Sequence, residues 1–299
     1  MNYLQCYPVM GWHCVEKWEN WGERMYRIIK TLNHNSILAV GMEDNQEYIL
    51  LGKGIGFGRK VSERVEADAD TRIYSLKNVS EQGKARELVR DTPAECFEIS
   101  SRILDKAEEE FGRIDRDILF PMANHIAYAV KRIKSGEQIS NPLTSDIRIL
   151  FYKEYKIAEY ARPLLKEMIA VDIMDDEIGY IALHVHSSIE DEKVSTSMQM
   201  AMMVRECVSL IEEQTKKTID ILSLDYNRLM NHVKFMFARV ENSETLKVNI
   251  NAYIMQNYPD AYEIAATICE HMGKALNKRL EEVEIGYLAM HVQRVLADE

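Results

Sequence analysis

Cysteine is scarce and unpaired: five residues, Cys6, Cys14, Cys96, Cys207 and Cys269, are scattered through 299 positions with no Cys-x-x-Cys pair. That spacing excludes a disulfide framework and a zinc ribbon, and it fits a reducing, cytoplasmic setting. Long apolar runs are missing too. None approaches the roughly 20 residues that a membrane-spanning helix needs, so no membrane insertion is expected. Residues 1–24 lack the basic start and small-residue cleavage site of a signal peptide. They hold all three tryptophans yet show neither strand nor helix periodicity. They are read as an extension, either disordered or upstream of a biological start at Met25, with an ordered aromatic arm as the alternative.

Positive charge is in short supply as well. The 37 Lys and Arg face 48 Asp and Glu, a formal net charge of −11 that disfavours a polyanionic partner if evenly spread. It is not evenly spread. Residues 25–80 carry eight basic and seven acidic side chains, whereas residues 81–299 carry 27 and 38. A weakly basic head on a strongly acidic body permits RNA binding by the head while the body repels the phosphate backbone.

What is present in the head is strand alternation. Tyr26–Leu32, a polar turn at Asn33-His34-Asn35, Ser36–Val40, a second turn at Glu43–Gln46 and Tyr48–Leu51 read as hairpins, with a later strand around Arg72–Leu76. Between them, Gly52-Lys53-Gly54-Ile55-Gly56-Phe57-Gly58 concentrates four of the thirteen glycines, and Arg59-Lys60 follows. A meander of about fifty-five residues makes a marginal core, so dimerisation through a sheet face is expected.

After Lys77 the period changes to that of helices. Thr92-Pro93-Ala94-Glu95 reads as a capping box, Cys96, Ile99, Ile103 and Ala107 share one face, and Gly112 ends the helix. Ile126, Ala129 and Val130, then Phe151–Tyr160, then Ile178–Val185 continue the helical pattern, and the charged stretch 190–193 separates it from a block beginning near Ser197. The four methionines Met198, Met200, Met202 and Met203 are read as core or interdomain filler.

The two helical blocks are copies. One gapless offset of 107 residues takes His125 to His232 and His184 to His291. It also matches Asn124 with Asn231, Arg132 with Arg239, Tyr155 with Tyr262 and Glu177-Ile-Gly-Tyr180 with Glu284-Ile-Gly-Tyr287. A unit of this length is a duplicated domain, because solenoid repeats run roughly 20–50 residues. Pro163 predicts a kink or break that the second copy lacks.

Two histidines retained per copy suggest one shared site in each. Neutral imidazole can attack phosphorus and accept a phosphoryl group from a high-energy phosphohistidine donor. The added negative charge would repel an acidic neighbour or draw in a cation, and Arg132 and Arg239, seven residues after the Asn-His histidines, are candidate partners. Capped or hydrogen-bonded core histidines are the bland reading. Glu177, Glu284, Tyr180 and Tyr287 are read as packing or capping residues. A metal-hydrolase reading of His184-Val185-His186 meets an objection: on a helix those rings point about 200° apart, and Gln293 stands where a copy of His186 would be. His186 is expected at the surface.

Lys30-Thr-Leu-Asn33-His-Asn35 followed by Leu51-Gly52-Lys53-Gly54-Ile55-Gly56-Phe57 resembles the co-antiterminator RNA-binding domain of BglG/SacY-type antiterminators, and the duplicated histidine blocks resemble the two PTS regulation domains (PRDs) of that family. The resemblance implies a multidomain β plus all-α chain: a small antiparallel, dimerising RNA-binding β domain over 25–80, and homologous helical bundles over 81–192 and 193–299. It implies a homodimer of four-stranded sheets that binds an RNA hairpin overlapping a terminator, with Lys30, Asn33, Asn35, Gly52, Lys53 and Phe57 as RNA contacts. It also implies phosphorylation of His125 and His184 by a sugar-specific PTS enzyme II, which inactivates, and of His232 and His291 by the histidine phosphocarrier protein, which activates. No catalytic residue, metal or cofactor is implied.

Two departures stand out: many relatives carry aspartate where this chain has Asn124, and arginine where it has Lys53. The alternatives are a PRD-bearing DNA-binding activator, which needs a helix-turn-helix head, and the helical metal hydrolase.

Overall fold

The computed structural model describes residues 24–76, 89, 91–190, 193–220 and 223–297, so the reading of the N-terminal extension lies outside the described residues except for Arg24. The chain divides into two compact units at Arg86/Glu87.

The first unit is an antiparallel sheet of β1 (Met25–Asn33), β2 (Ser36–Gly41), β3 (Glu47–Leu51), β4 (Arg64–Glu66) and β5 (Arg72–Ser75), in the order β4-β1-β2-β3-β5. Period-two alternation puts Tyr26, Ile28, Ile37, Ala39, Tyr48 and Leu50 into one core with Val65 and Ala67. Each large apolar side chain buried there contributes about 1.5–3 kcal/mol. The three hairpin strands and the last strand fall where the alternation predicts them. The fifth strand does not follow from the pattern: β4 is three residues long with charged ends, and Met25–Arg27 of β1 recruits it as an edge. The sheet therefore has five strands rather than four. Residues 24–76 contain strands and turns and no helix, which removes the helix-turn-helix alternative.

The second unit is helical: α1 (Ala94–Phe111), a 3-10 turn (Arg116–Ile118), α2 (Leu119–Lys134), α3 (Thr144–Leu150), α4 (Tyr152–Ala158), α5 (Ala161–Ile169), α6 (Asp175–Glu190), α7 (Val194–Thr215), α8 (Leu224–Asn242), α9 (Asn251–Asn257), α10 (Pro259–Leu276) and α11 (Val283–Leu296). The duplication is visible in the backbone, since α3 and α9 coincide residue for residue at the offset of 107. In α1 the predicted face is buried, with Cys96, Ile99, Ile103 and Ala107 all inaccessible, and Gly112 ends the helix at φ +81°.

Its start differs from the capping-box reading. Pro93, extended at ψ 142°, is itself the N-cap, and the buried Thr92 hydroxyl bonds nothing among the described residues. A proline cannot supply a capping side chain, and its position displaces the threonine one residue too far upstream to serve.

Pro163 breaks the first copy as predicted. Its ring has no N–H to offer and collides with the carbonyl four residues back, that of Glu159. The chain therefore stops α4 at Ala158 and restarts α5 at Ala161, with Arg162 N–H reaching Glu159 O by a three-residue step. The second copy runs through the same stretch as the single helix α10.

The copies also touch each other. The Tyr226 hydroxyl on α8 donates to Asp146 on α3 at 2.9 Å, and Lys234 Nζ on α8 sits 5.4 Å from the centre of the Phe151 ring. Of the methionine cluster, Met200 and Met203 on α7 are buried while Met202 is exposed.

Candidate RNA interface and candidate phosphoacceptor pairs

In the sheet unit, the β1–β2 turn and the glycine-rich loop are tied into one surface. Gly52 N–H donates to Asn35 O at 2.9 Å, Gly54 N–H to the Asn35 side-chain Oδ1 at 2.9 Å, and Gly56 N–H to His34 O at 3.0 Å. Asn33 Oδ1 accepts from Asn35 N–H at 2.8 Å and from the Ser36 hydroxyl at 2.7 Å. Both carboxamide oxygens are thus occupied in shaping the turn, the ordinary role of asparagine in such places. Gly54, at φ +72°, adopts a backbone that L side chains avoid. At Gly56 a Cβ would stand 2.2 Å from Asn33 O, so only glycine lets the loop lie against the turn.

On this platform Phe57 is 68% exposed and meets His34 edge to face, ring centres 5.2 Å apart. An apolar ring held open by two hydrogen-bonded loops is suited to stacking on an unpaired base. Lys53, on the loop, and Lys30, on β1 opposite Leu38, are both exposed, as are Arg59 and Lys60. Asn33, Asn35, Gly52, Lys53 and Phe57 lie on the turn and loop, and Lys30 is three residues before the turn.

In the helical unit, equal spacings assemble each histidine pair. His125 and Arg132 are seven residues apart on α2, and Glu177 and His184 are seven apart on α6, two turns in each case. Antiparallel helices with matching seven-residue steps bring both ends into register. His125 faces His184 with ring centres 5.5 Å apart, and Arg132 Nη2 donates to Glu177 Oε1 at 2.7 Å. The second copy repeats this across α8 and α11: His232 stacks on His291 at 4.7 Å, and Arg239 donates through Nε and Nη2 to both Glu284 oxygens at 2.7 Å each. Both glutamates are almost wholly buried. The arginines expected to meet phosphate are already paired with these carboxylates. Two facing seven-residue intervals were the signal from which those ion pairs were readable.

The pairs sit partly in the core. His184 is 8% exposed, and burial, reinforced by His125, pushes its imidazole down to about 3. Burial with the His291 and Arg239 charges does the same to His232, also to about 3, and burial lowers His291. Both rings of the second pair, and His125 in the first, keep partial solvent contact. Burial raises the carboxyl of Glu177 less than His125 and Arg132 lower it, so it is held below the usual carboxylate range.

His186 is not at the surface as its lack of a copy suggested. It is 2% exposed, contacts Glu154 Oε1 through Nδ1 at 2.9 Å, and packs on Phe151 with ring centres 4.4 Å apart. Its position on α6 turns it away from His184, as the helical angle requires, and toward the seam between the copies.

The CAT RNA binding domain family matches residues 26–83, and the PRD domain family matches twice, over 97–188 and 205–295. The chain is 30% identical over 276 residues to the "GlcA/glcB genes antiterminator" of Staphylococcus carnosus (strain TM300), covering 89% of this chain and 94% of that protein. It is 26% identical over 274 residues to "Transcription antiterminator LicT" of Bacillus subtilis (strain 168), covering 90% and 99%. Among solved structures, "Crystal structure of GlcT CAT-PRDI" is 29% identical, with a TM-score of 0.47, and covers 56% of this chain and 99% of that one.

Proposed function

The chain belongs to the BglG/SacY family of RNA-binding transcription antiterminators, a CAT RNA-binding domain followed by two PRD domains, and from that premise we propose how its residues divide the work. It is a regulator and not an enzyme. The β domain, residues 25–80, acts as a homodimer that grips an RNA hairpin overlapping a terminator of a sugar-utilisation operon, so that polymerase reads on. Phe57 stacks on an unpaired base, the Asn33–Asn35 turn and Gly52 bring backbone and amide groups to the RNA, and Lys30 and Lys53 meet phosphate.

The helical domains, 81–192 and 193–299, set whether that dimer forms. His125 and His184 accept phosphate from a sugar-specific PTS enzyme II and switch binding off, while His232 and His291 accept it from the histidine phosphocarrier protein and switch binding on. The observation that carries this reading is the recurrence of one facing histidine pair in each copy, at 5.5 and 4.7 Å. Depressed basicity keeps His184 and His232 neutral in the cell, the form in which a ring nitrogen is a nucleophile. No described helix is long and apolar enough to cross a membrane, and the protein works in the cytoplasm.

A gel shift with the full chain and a bulged hairpin from its own operon leader tests the RNA half. Phe57→Ala should weaken binding roughly tenfold or more, the contribution of one stacked base, without moving the unfolding midpoint. Equal affinity for unrelated duplexes, or wild-type affinity in Phe57→Ala, overturns the assignment.

A further inference from the structure

The two histidine pairs look alike but are wired differently. In the first copy Arg132 engages Glu177 through one nitrogen at Oε1, leaving Oε2 3.1 Å from His125 Nε2. In the second, Arg239 takes both oxygens of Glu284, and the buried His232 Nε2 has no partner among the described residues. We propose that Glu177 is a positioning residue that fixes His125 for phosphoryl transfer at Nδ1, a service Glu284 does not give His232. This deepens, and rests on, the phosphoacceptor reading above.

When ionised, Glu177 can only accept, and His125 and Arg132 hold it ionised against the effect of burial. A carboxylate beside Nε2 favours the ring proton on that nitrogen, which leaves the lone pair on Nδ1. Nε2 is buried, and its approach to Oε2 lies off the line of a full hydrogen bond, so a small turn of the ring as charge develops would complete the bond. Nδ1 makes no hydrogen bond among the described residues and is not one of the buried nitrogens. It is the end of the ring that a donor can reach.

In the transfer, the Nδ1 lone pair attacks the phosphorus of a phosphohistidine donor, the donor's N–P bond breaks, and its electron pair stays on the donor ring. The new N-phosphoimidazolium keeps its proton on Nε2, against Glu177. Attack by Nε2 would instead press a phosphoryl dianion onto the Glu177 carboxylate in a buried space, which like-charge repulsion forbids.

The test phosphorylates the full chain with the phosphorylated sugar-specific PTS enzyme II for His125, with the phosphorylated histidine phosphocarrier protein for His232, and, in parallel, with potassium phosphoramidate. Isomer-selective phosphohistidine antibodies and 31P–15N correlation spectra then read which nitrogen of His125 carries phosphorus. The wild type should carry it on Nδ1. Glu177→Gln should slow transfer to His125 roughly tenfold, the worth of one charge-assisted acceptor, and should spread the label onto Nε2. Glu284→Gln should leave the isomer ratio at His232 unchanged. A residue that merely held the fold would alter yield and not the isomer.

Label on Nε2 of wild-type His125, or an unaltered rate and isomer in Glu177→Gln, overturns the proposal. If Glu177→Gln fails to fold, the wild-type isomer alone decides. Phosphate on other histidines but not His125 also overturns it. No phosphohistidine on any of the four overturns the underlying reading as well, so the two failures are told apart.

Discussion

Acid should weaken the helical body long before carboxylates titrate. His184 and His232 are pushed from an ordinary 6.5 to about 3 by burial, reinforced by the facing histidine in each pair and, for His232, by Arg239. The unfolded chain takes up a proton on each as pH falls through 6.5, while the folded chain refuses it, so stability is fully present above neutrality and drains away below. Linkage gives about 1.4 kcal/mol per pH unit per histidine in that window, hence about 2 kcal/mol each, and about 4 together, between pH 8 and 5. The lowered His291 adds in the same direction. That sum is a large share of the ~5–15 kcal/mol that stabilises a typical domain.

Urea unfolding of the full chain, followed by far-ultraviolet circular dichroism at several pH values, measures it. The free energy should fall with a slope near two protons, and His184→Gln should reduce that slope by about one proton. A free energy flat from about pH 7 to 5 would show that these rings take protons freely when folded, and the case for buried, neutral nucleophiles would fail.

Three further outcomes follow from single contacts. Tyr226→Phe removes the hydroxyl that meets the buried Asp146 and leaves that carboxylate without its donor, at a cost of about 1.5–3 kcal/mol in urea unfolding; a loss below about 0.5 kcal/mol would mean the contact does not persist in solution. His186→Ala strands the Glu154 carboxylate, which His186 and Lys234 hold ionised against the effect of burial, and should cost about 3–5 kcal/mol, with Glu154→Gln in the same chain recovering part of it; strict additivity of the two would refute the pairing. Gly56→Ala drives a Cβ into Asn33 O and should abolish the hairpin gel shift, whereas Gly54→Ala, which meets open space, should cost only about 1 kcal/mol of stability and retain binding; equal effects would show that the close approach is unimportant.

Period and repetition were the legible part of this chain. Alternation located β1, β2, β3 and β5 because each buries one row of a sheet, and the offset of 107 located both histidine pairs because duplication preserves register. What escaped has a common physical character. β4 is too short for alternation to register and exists only because β1 offers it an edge. Thr92 matched a capping pattern, but the backbone of Pro93 decided where the helix begins. The lack of a copy of His186 points outward, but burial of a polar ring depends on a tertiary partner, Glu154, thirty-two residues away, that no local pattern reveals. The partners of Arg132 and Arg239 were readable in principle, from two seven-residue intervals on facing helices, but only once those helices were known to be antiparallel.

Two contacts between the copies, Tyr226–Asp146 and Lys234–Phe151, share a feature. The residues that make them are ones at which the copies differ. At the offset of 107, Asp146 stands opposite Tyr253, Tyr226 opposite Leu119, Lys234 opposite Ala127 and Phe151 opposite Tyr258. Symmetric residues build each pair, whereas asymmetric ones build the contacts between copies, Tyr226–Asp146 and Lys234–Phe151; Glu154–His186 lies within the first copy, against Phe151. The division has a mechanical consequence, because α8 carries Tyr226 and Lys234 on either side of His232. A phosphoryl group that shifts His232 therefore acts on a helix already bonded to the first copy, and packed helices transmit such a shift as a discrete rearrangement because their interfaces do not deform continuously. Divergence at four positions thus ties the helix that carries His232 to the first copy.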